Sequence, residues 1–457
     1  MPGLIRRGRA PHGATAARAF ELAAISARRG ARQRSNEARP MRQQNLLYAH
    51  SGGVTAVINA SAAAVVAAAR ASGRVGKVFA AWRGIVGVLE EALIDTAGLD
   101  EAALVRLART PGGAFGSCRF DLPHDDGGAA MDRLFAVFDA HDIGWLLYNG
   151  GNGSMDAVAR IQAEAARRGH ALVCVGVPKT VDNDIVGTDC CPGFGSAARY
   201  LATSMLEAGL DTASMVGSKG SVFVMEVMGR NTGWLAAATA LAAQGDPDRA
   251  PHIVLVPEAR FDEAAFLARV REIVERLGYC AVTVAEGIRR PDGSLLMEKS
   301  RDARGYVQLG GAGLAVARRI NERLGYKFHW AIPDYLQRSA GHWLSATDRA
   351  QAEAVGRVAV EYALAGQGGT MPAIRRLQDA PYRWDVVAVD TAAVANLERS
   401  LPDGFVRADG LHVTTAACDY MRPLIEGEIP PPVAGGLPDY GRWDWAPVAR
   451  RLAAWQA

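Results

Sequence analysis

Short apolar runs alternate with stretches of helical periodicity along most of this chain. Seven runs read as strands: NLLYAH (45–50), KVFAAW (77–82), WLLYNG (145–150), ALVCVGVP (171–178), VFVMEVMG (222–229), HIVLVPE (252–258) and AVTVAEGI (281–288). Segments 54–70, 154–168, 196–208, 232–243 and 262–277 return apolar residues at helical spacing. Strands apolar on both faces belong to parallel sheets, and the intervening helices supply the cover. The pattern predicts an α/β fold of two doubly wound, Rossmann-like α/β/α domains facing a central cleft. The predicted boundaries are 45–192 and 193–337, with 338–457 returning to complete the domains.

Composition fits this reading. The chain has 457 residues, 49% of them hydrophobic and 22% charged, enough for two or three domains with sizeable cores. No apolar run of about 18 residues is free of charge, so no membrane partner is expected. Cys118, Cys174, Cys190, Cys191, Cys280 and Cys418 form no CxxC pair and read as reduced thiols of a cytoplasmic protein. The net charge of +3 hides an asymmetry. Residues 1–44 hold ten arginines against Glu21 and Glu37, for +8, which leaves −5 on the rest. This Arg- and Ala-rich extension has neither a strand pattern nor a secretory apolar core. A disordered tail, a targeting peptide or extraneous sequence ahead of a start near Met41 all fit, the last of them best. Basic character ends with it, so no nucleic-acid partner is expected.

The unusual residues cluster where strands end, the edge at which open α/β sheets bind ligands. Ser51-Gly52-Gly53 follows the first strand, Gly150-Gly151-Asn152-Gly153-Ser154 ends another and opens a helix, and Gly112-Gly113 sits in a loop. Glycine lets backbone N–H groups close on an anion, and a helix N-terminus adds partial positive charge, so phosphate is the natural guest. One such turn commonly just packs strand on helix; three in one chain point to phosphate. None ends in the GK[ST] of a Walker loop.

Pro178-Lys179-Thr180-Val181-Asp182-Asn183-Asp184 follows an apolar strand. On an extended backbone Asp182 and Asp184 face the same side. One carboxylate can take the proton of an attacking hydroxyl while the other holds Mg²⁺ on phosphates. Lys179 offers a point charge to an oxyanion leaving group. Arg119, Arg230 and Arg338 lie beside glycine or polar turns, and guanidinium groups suit phosphate. Glu286, at the end of an apolar strand, needs a sugar hydroxyl or an arginine to satisfy its charge. Met225, Met228 and Trp234 read as core. These parts predict phosphoryl transfer to a phosphorylated polyol.

The ordered motifs SGG, GGNGS, PKTVDNDI, PGFGSAARY, MGRNTGWLA, AEGI and DYLQRS, between about Asn45 and Asp348, resemble the phosphofructokinase family, most closely its pyrophosphate-dependent bacterial group. The resemblance implies that 45–192 binds the phosphoryl donor and 193–337 the sugar phosphate. It implies reversible, magnesium-dependent transfer from pyrophosphate to the 1-hydroxyl of fructose 6-phosphate, giving fructose 1,6-bisphosphate and phosphate. Asp182 would be the general base, with Lys179 and Thr180 beside it, and Asp184 with Asn152 would serve the metal. Thr180, Asp182, Met228, Gly229, Arg230, Glu286, Tyr335 and Arg338 would line the sugar site. Gly52, Gly53 and Arg119, with the turn Gly151, Asn152, Gly153 and Ser154, would hold the donor. The family also implies a homodimer or homotetramer, in which an arginine of a neighbouring subunit meets the sugar 6-phosphate. Lys219, Lys327 and His329 stand at comparable places here.

Two positions pull opposite ways on the donor. Lys179 is the residue of pyrophosphate users, whereas Gly153 stands where those usually carry aspartate and ATP users glycine. Pyrophosphate is the favoured donor and an ATP-dependent kinase the alternative. A catalytically silent sugar-phosphate-binding regulator, suggested by the neutral Asn152 alone, is a third reading.

Overall fold

A computed structural model describes residues 43–123, 128–216, 221–298, 300–301 and 307–455. The N-terminal extension, apart from its last two residues, lies outside the described residues, as does Lys219. The strands of the two large sheets, in chain order, are β1 (Asn45–His50), β2 (Val78–Ala81), β3 (Leu93–Asp95), β4 (Ile143–Gly150), β5 (Val173–Pro178), β6 (Ser221–Val227), β7 (Ile253–Leu255), β8 (Tyr279–Ala285), β9 (Lys327–Ala331), β10 (Thr370–Gln378) and β11 (Arg383–Asp390). The helices that matter for the site are α1 (Ile58–Ala71), α2 (Asn152–Arg168), α3 (Phe194–Ser214), α4 (Glu263–Leu277), α5 (Ala312–Leu324), α6 (Tyr335–Ser339) and α7 (Ala346–Leu364).

The first sheet runs β11-β10-β5-β4-β1-β2-β3, parallel from β10 to β2 and antiparallel at both edges. The second runs β9-β6-β8-β7 and is parallel throughout. The period-two alternation of β1 explains why Leu46 to Ala49 between its polar ends are apolar on both faces. Leu46 and Tyr48 enter the core beneath α1 and α7, while Leu47 and Ala49 enter the core on the opposite face with Phe135, Phe138 and Ile161. A third core, centred on Trp234, Phe266 and Val282, covers the second sheet.

Each predicted strand overlaps an observed one, though three observed strands begin one or two residues earlier. The strands not predicted, β3, β9, β10 and β11, lie at or near sheet edges. β9 is largely exposed, and β10 and β11 place Arg375, Arg376 and Asp385 among their apolar residues, so a search for wholly apolar runs passes over them.

After α6 the chain returns to the first sheet. α7 packs on α1, where Ser61 Oγ donates to Ala352 O (2.8 Å), and β10 and β11 extend the sheet beyond β5. On α7, the buried Asp348 carboxylate accepts from the Gly193 N–H (2.8 Å), the Ser196 N–H (3.0 Å) and Ser196 Oγ (2.6 Å). An acidic side chain from a helix of the first layer thus caps the N-terminus of α3, which covers the second sheet. Burial pushes the Asp348 carboxyl up, and these donors hold it back. The final segment crosses the first sheet. Trp445 Nε1 donates to Ala114 O (2.9 Å), its ring lies 4.8 Å from that of Phe115, and the buried Glu91 accepts from the Arg451 and Leu452 N–H groups. The tail thereby braces the loop that leads to Arg119.

Candidate active site

In the first sheet the chain order reverses beside β1, with β2 on one side and β4 on the other. The crevice at the carboxyl ends of β1 and β4 is where such a reversal leaves room for a ligand. Ser51-Gly52-Gly53 leaves β1 there and Gly151 opens α2 there. The Ser51 N–H donates to Asn149 O (2.7 Å), the Gly52 N–H to Cys118 O (2.8 Å) and Ser117 Oγ to Gly52 O (2.7 Å). These bonds fasten the loop carrying Arg119 to the glycine turn. Arg338, on α6 after the last strand of the second sheet, reaches the same turn. A Cβ on Gly53 would lie 2.6 Å from Arg338 Nη1 and 3.7 Å from Arg119 Nη2, so the missing side chain leaves the space these guanidinium groups enter.

Lys179 follows β5 and is buried. Its Nζ donates to Ser51 O (2.7 Å) and Gly53 O (2.5 Å). An ammonium has three N–H donors, so one remains for a ligand. Burial and the Arg338 guanidinium draw its pKa down to about 8, while Asp182 and Asp184 resist the shift.

The backbone beyond Lys179 is not extended, contrary to the sequence expectation. Asn183 has φ 56°, in the left-handed region that asparagine tolerates better than most residues, and its Oδ1 accepts from the Cys191 N–H (2.9 Å). This turn, not strand alternation, brings Asp182 and Asp184 together. Thr180 Oγ1 accepts from the Asp182 N–H (3.0 Å), and Thr232 Oγ1 donates to Asp182 O (3.2 Å). Arg399 holds the turn from outside. Its guanidinium lies 4.5 Å from the Trp234 ring and donates to the carbonyls of Asn183 (3.2 Å), Thr188 (2.9 Å) and Asp189 (2.5 Å), while its N–H donates to Asp184 O (2.8 Å). Sequence reading missed Arg399, which stands 216 residues from Asn183 with no motif around it.

The second sheet contributes Met228-Gly229-Arg230 after β6 and Glu286 after β8. A side chain on Gly287 would collide with the Arg230 carbonyl, so only glycine lets these two strand ends lie together. The Met228 N–H donates to Oε1 of the buried Gln337 (3.2 Å). Glu286 is half-buried. Burial and Glu226 push its carboxyl up, against the Gly229 N–H and Arg230. Asp182 feels charges from both sheets. Burial raises its pKa to about 7, Asp184 and Glu286 add to the rise, and Lys179 and Arg119 offset part of it. Burial raises the Asp184 carboxyl as well.

One pair of oxygens fits a hard cation. Asn152 Nδ2 donates to Asp184 Oδ2 (3.1 Å), which leaves Asn152 Oδ1 and Asp184 Oδ1 buried and without a hydrogen-bond partner. Buried oxygens are rarely left so, and an amide with a carboxylate oxygen is a donor set for a divalent metal. Among the described residues no group of three or more His, Cys, Asp and Glu could hold a metal ion. The remaining coordination would come from phosphate oxygens and water.

The other expected residues are placed as follows. Arg119 and Arg230 are exposed, and Met228 is half-buried against the core that covers the second sheet. Tyr335 is 63% exposed, with the Arg338 guanidinium 3.8 Å from its ring centre. Ser154 is buried, with Oγ folded against Gly150 at the end of β4. Lys327 and His329 line a separate hollow of about 830 Å³ with Asp211, Met215 and Phe223, and no acid or glycine turn of the crevice borders it.

A profile described as phosphofructokinase matches residues 45–363. The chain belongs to the phosphofructokinase family. It is 51% identical over 420 residues to a pyrophosphate–fructose 6-phosphate 1-phosphotransferase of Xanthomonas campestris pv. campestris, covering 91% of this chain and 100% of that one. It is 50% identical over 417 residues to the protein of that name from Methylococcus capsulatus, covering 91% and 99%. Its fold is similar to the crystal structure of a pyrophosphate-dependent phosphofructokinase from Nitrosospira multiformis, with a TM-score of 0.84 at 45% identity over 91% of this chain and 100% of that one. The phosphofructokinase profile stops before β10, so Arg399 and the tail lie beyond it.

Two outcomes are expected from this geometry. A base at Asp182 works only when ionised, so kcat/KM should fall as pH drops below about 7; loss of the Lys179 proton above about 8 should lower it again. A profile flat from pH 6 to 9 would contradict the assignment. Arg399→Met should strip several carbonyls of their charged donor and destabilise the fold by about 3 kcal/mol, read by urea denaturation. A change below about 0.5 kcal/mol would show that Arg399 does not hold the turn.

Proposed function

We propose that this enzyme transfers a phosphoryl group from pyrophosphate to the 1-hydroxyl of fructose 6-phosphate, reversibly and with Mg²⁺, giving fructose 1,6-bisphosphate and phosphate. The observation that carries this reading is the convergence of Lys179, Asp182 and Asp184 with the Gly52–Gly53 turn, Arg119 and Arg338 in one crevice. The names of the relatives at about 50% identity point the same way.

The donor lies across the Gly52–Gly53 turn against Arg119, Lys179 and the start of α2. The sugar phosphate lies on the second-sheet side, toward Met228, Gly229, Arg230, Glu286 and Arg338. Asp182 takes the proton from the 1-hydroxyl as that oxygen attacks phosphorus. The new P–O bond forms as the bond to the departing phosphate breaks, and the free N–H of Lys179 with the Arg119 guanidinium meets the charge that develops there. A base near neutrality is well matched to this task. When bound by Asn152 and Asp184, Mg²⁺ would neutralise donor charge.

Further assignments rest on the same reading. β9 is an exposed edge strand, and Trp330 and Ile332 in and beyond it are 45% and 40% exposed, which supports a second copy of the chain packing there. All six cysteines are free thiols and, among the described residues, no helix is long and apolar enough to cross a membrane, which agrees with a cytoplasmic enzyme.

A coupled assay for fructose 1,6-bisphosphate tests the donor. Turnover with pyrophosphate is expected, lost on chelation of divalent metal; good turnover with ATP and none with pyrophosphate would overturn the reading. Asp182→Asn should lower kcat about 10²–10⁴-fold. The same change should raise the melting temperature at pH 8, because it removes a carboxylate held beside Asp184 and Glu286. The sign follows from the raised pKa: ionisation of Asp182 costs the folded state stability as pH rises through about 7. A mild rate loss would remove Asp182 from the base role.

A further inference from the structure

Gly153, in the first turn of α2, opens onto space. Apart from its own helix, the only atom among the described residues within 4 Å of where its Cβ would lie is Asp121 Oδ1, at 3.7 Å. Asp121 comes from the loop that also carries Arg119, two residues along. The segment behind it is pinned to α2, because Arg160 donates through Nη1 to Leu122 O and through Nη2 to Pro123 O, each 2.7 Å. Nothing in the proposed reaction uses this carboxylate. Its charge is felt at the buried end of β4. The phenol of Tyr148, on β4, is pushed up first by burial, then by Cys118 and also by Asp121, against a bond from Ser51.

The order of groups along the crevice gives the carboxylate a task. Gly151 lies by Lys179, with its Cβ position 3.7 Å from Lys179 O, so the start of the turn adjoins the acids. Gly153 lies further along α2, away from Lys179. A donor of two phosphates is accommodated between Asp182 and the glycine turns. A donor of three phosphates that follows α2 from there would extend past Gly153, where its next phosphate would meet the exposed Asp121 carboxylate. Like charges set against each other cost a wrong ligand affinity and leave a shorter one unaffected.

We propose that Asp121 is a donor-specificity residue, which excludes nucleoside triphosphates by placing a negative charge in the room left open by Gly153. This inference rests on the pyrophosphate reading, and the wild-type assay separates the two. If wild type prefers ATP, that reading fails on its own. If wild type prefers pyrophosphate, the test passes to the variants. Asp121→Asn keeps the shape and removes the charge, and Asp121→Lys reverses it. In each, the ratio of kcat/KM for ATP to that for pyrophosphate should rise at least about tenfold, more for Lys, about 1.4 kcal/mol or more of recovered interaction. ATP binding by calorimetry to the full-length enzyme, without sugar phosphate, should tighten in the same order. Adding Gly153→Asp to Asp121→Asn should lower the ratio again. An unchanged ratio and unchanged ATP binding in both single variants, with pyrophosphate turnover still measurable, overturns the proposal. If both variants lose all turnover, the calorimetric comparison decides: ATP affinity equal to wild type overturns it as well.

Discussion

A lysine ammonium held against two backbone carbonyls is the constraint around which the crevice is organised. Lys179 is fixed by Ser51 O and Gly53 O, so the charge proposed to meet the donor also closes the glycine turn beneath it. At 4 Å in protein surroundings, two unit charges interact by about 4 kcal/mol. Such a charge decides how nearby carboxyls ionise. Even so, Asp182 stays raised, because burial and the neighbouring Asp184 and Glu286 outweigh Lys179 and Arg119. The free crevice is therefore a site under electrostatic stress. It holds a carboxyl raised to about 7, and in the proposed reaction a cation and the substrates would relieve part of the stress.

That stress requires rigid support, and much of it comes from sequence far from the motifs. Arg399 clamps the carbonyls around Asn183, Asp348 caps α3 from α7, and Trp445 braces the loop leading to Arg119. Each contact joins an element of one layer to a loop of the other or to the crevice. Without them, the left-handed turn at Asn183 would lose its outer support while keeping the repulsion between the two aspartates it brings together. A destabilised functional turn held by its surroundings is the usual bargain at catalytic sites.

Reading the sequence located the crevice well, because the central parallel strands β1, β4 and β5 are largely apolar, and clustered glycines, lysine and aspartate appear just beyond their carboxyl ends. β1, β4 and β5, with their following turns, carry that signal strongly. Supporting elements carry little. β10 and β11 alternate charge with apolar residues, and Arg399 sits in an ordinary polar loop whose role depends on a contact across 216 residues. Residue spacing also misjudged the turn. "DND" was expected to align two carboxylates through strand alternation, yet the asparagine between them is the left-handed residue of a bend. The outcome was the same side-chain proximity from a different backbone cause, a distinction that only φ reveals.

The conflict between Lys179 and Gly153 has a related lesson. Residue type at one position stands for a physical property, here the presence of negative charge and bulk at a certain point in the crevice. If that charge can come from a neighbouring loop, the glycine at 153 no longer argues for a longer donor. Asp121 Oδ1 stands beside that volume, and the two residues after it are held by Arg160 to the same helix that bears the glycine. On the proposal for Asp121, the volume beside α2 would be closed to a further phosphate by an adjoining chain segment, and Lys179 and Gly153 would cease to contradict each other. Donor choice becomes a property of the field and space between the loop 117–123 and α2, legible only once both are seen together.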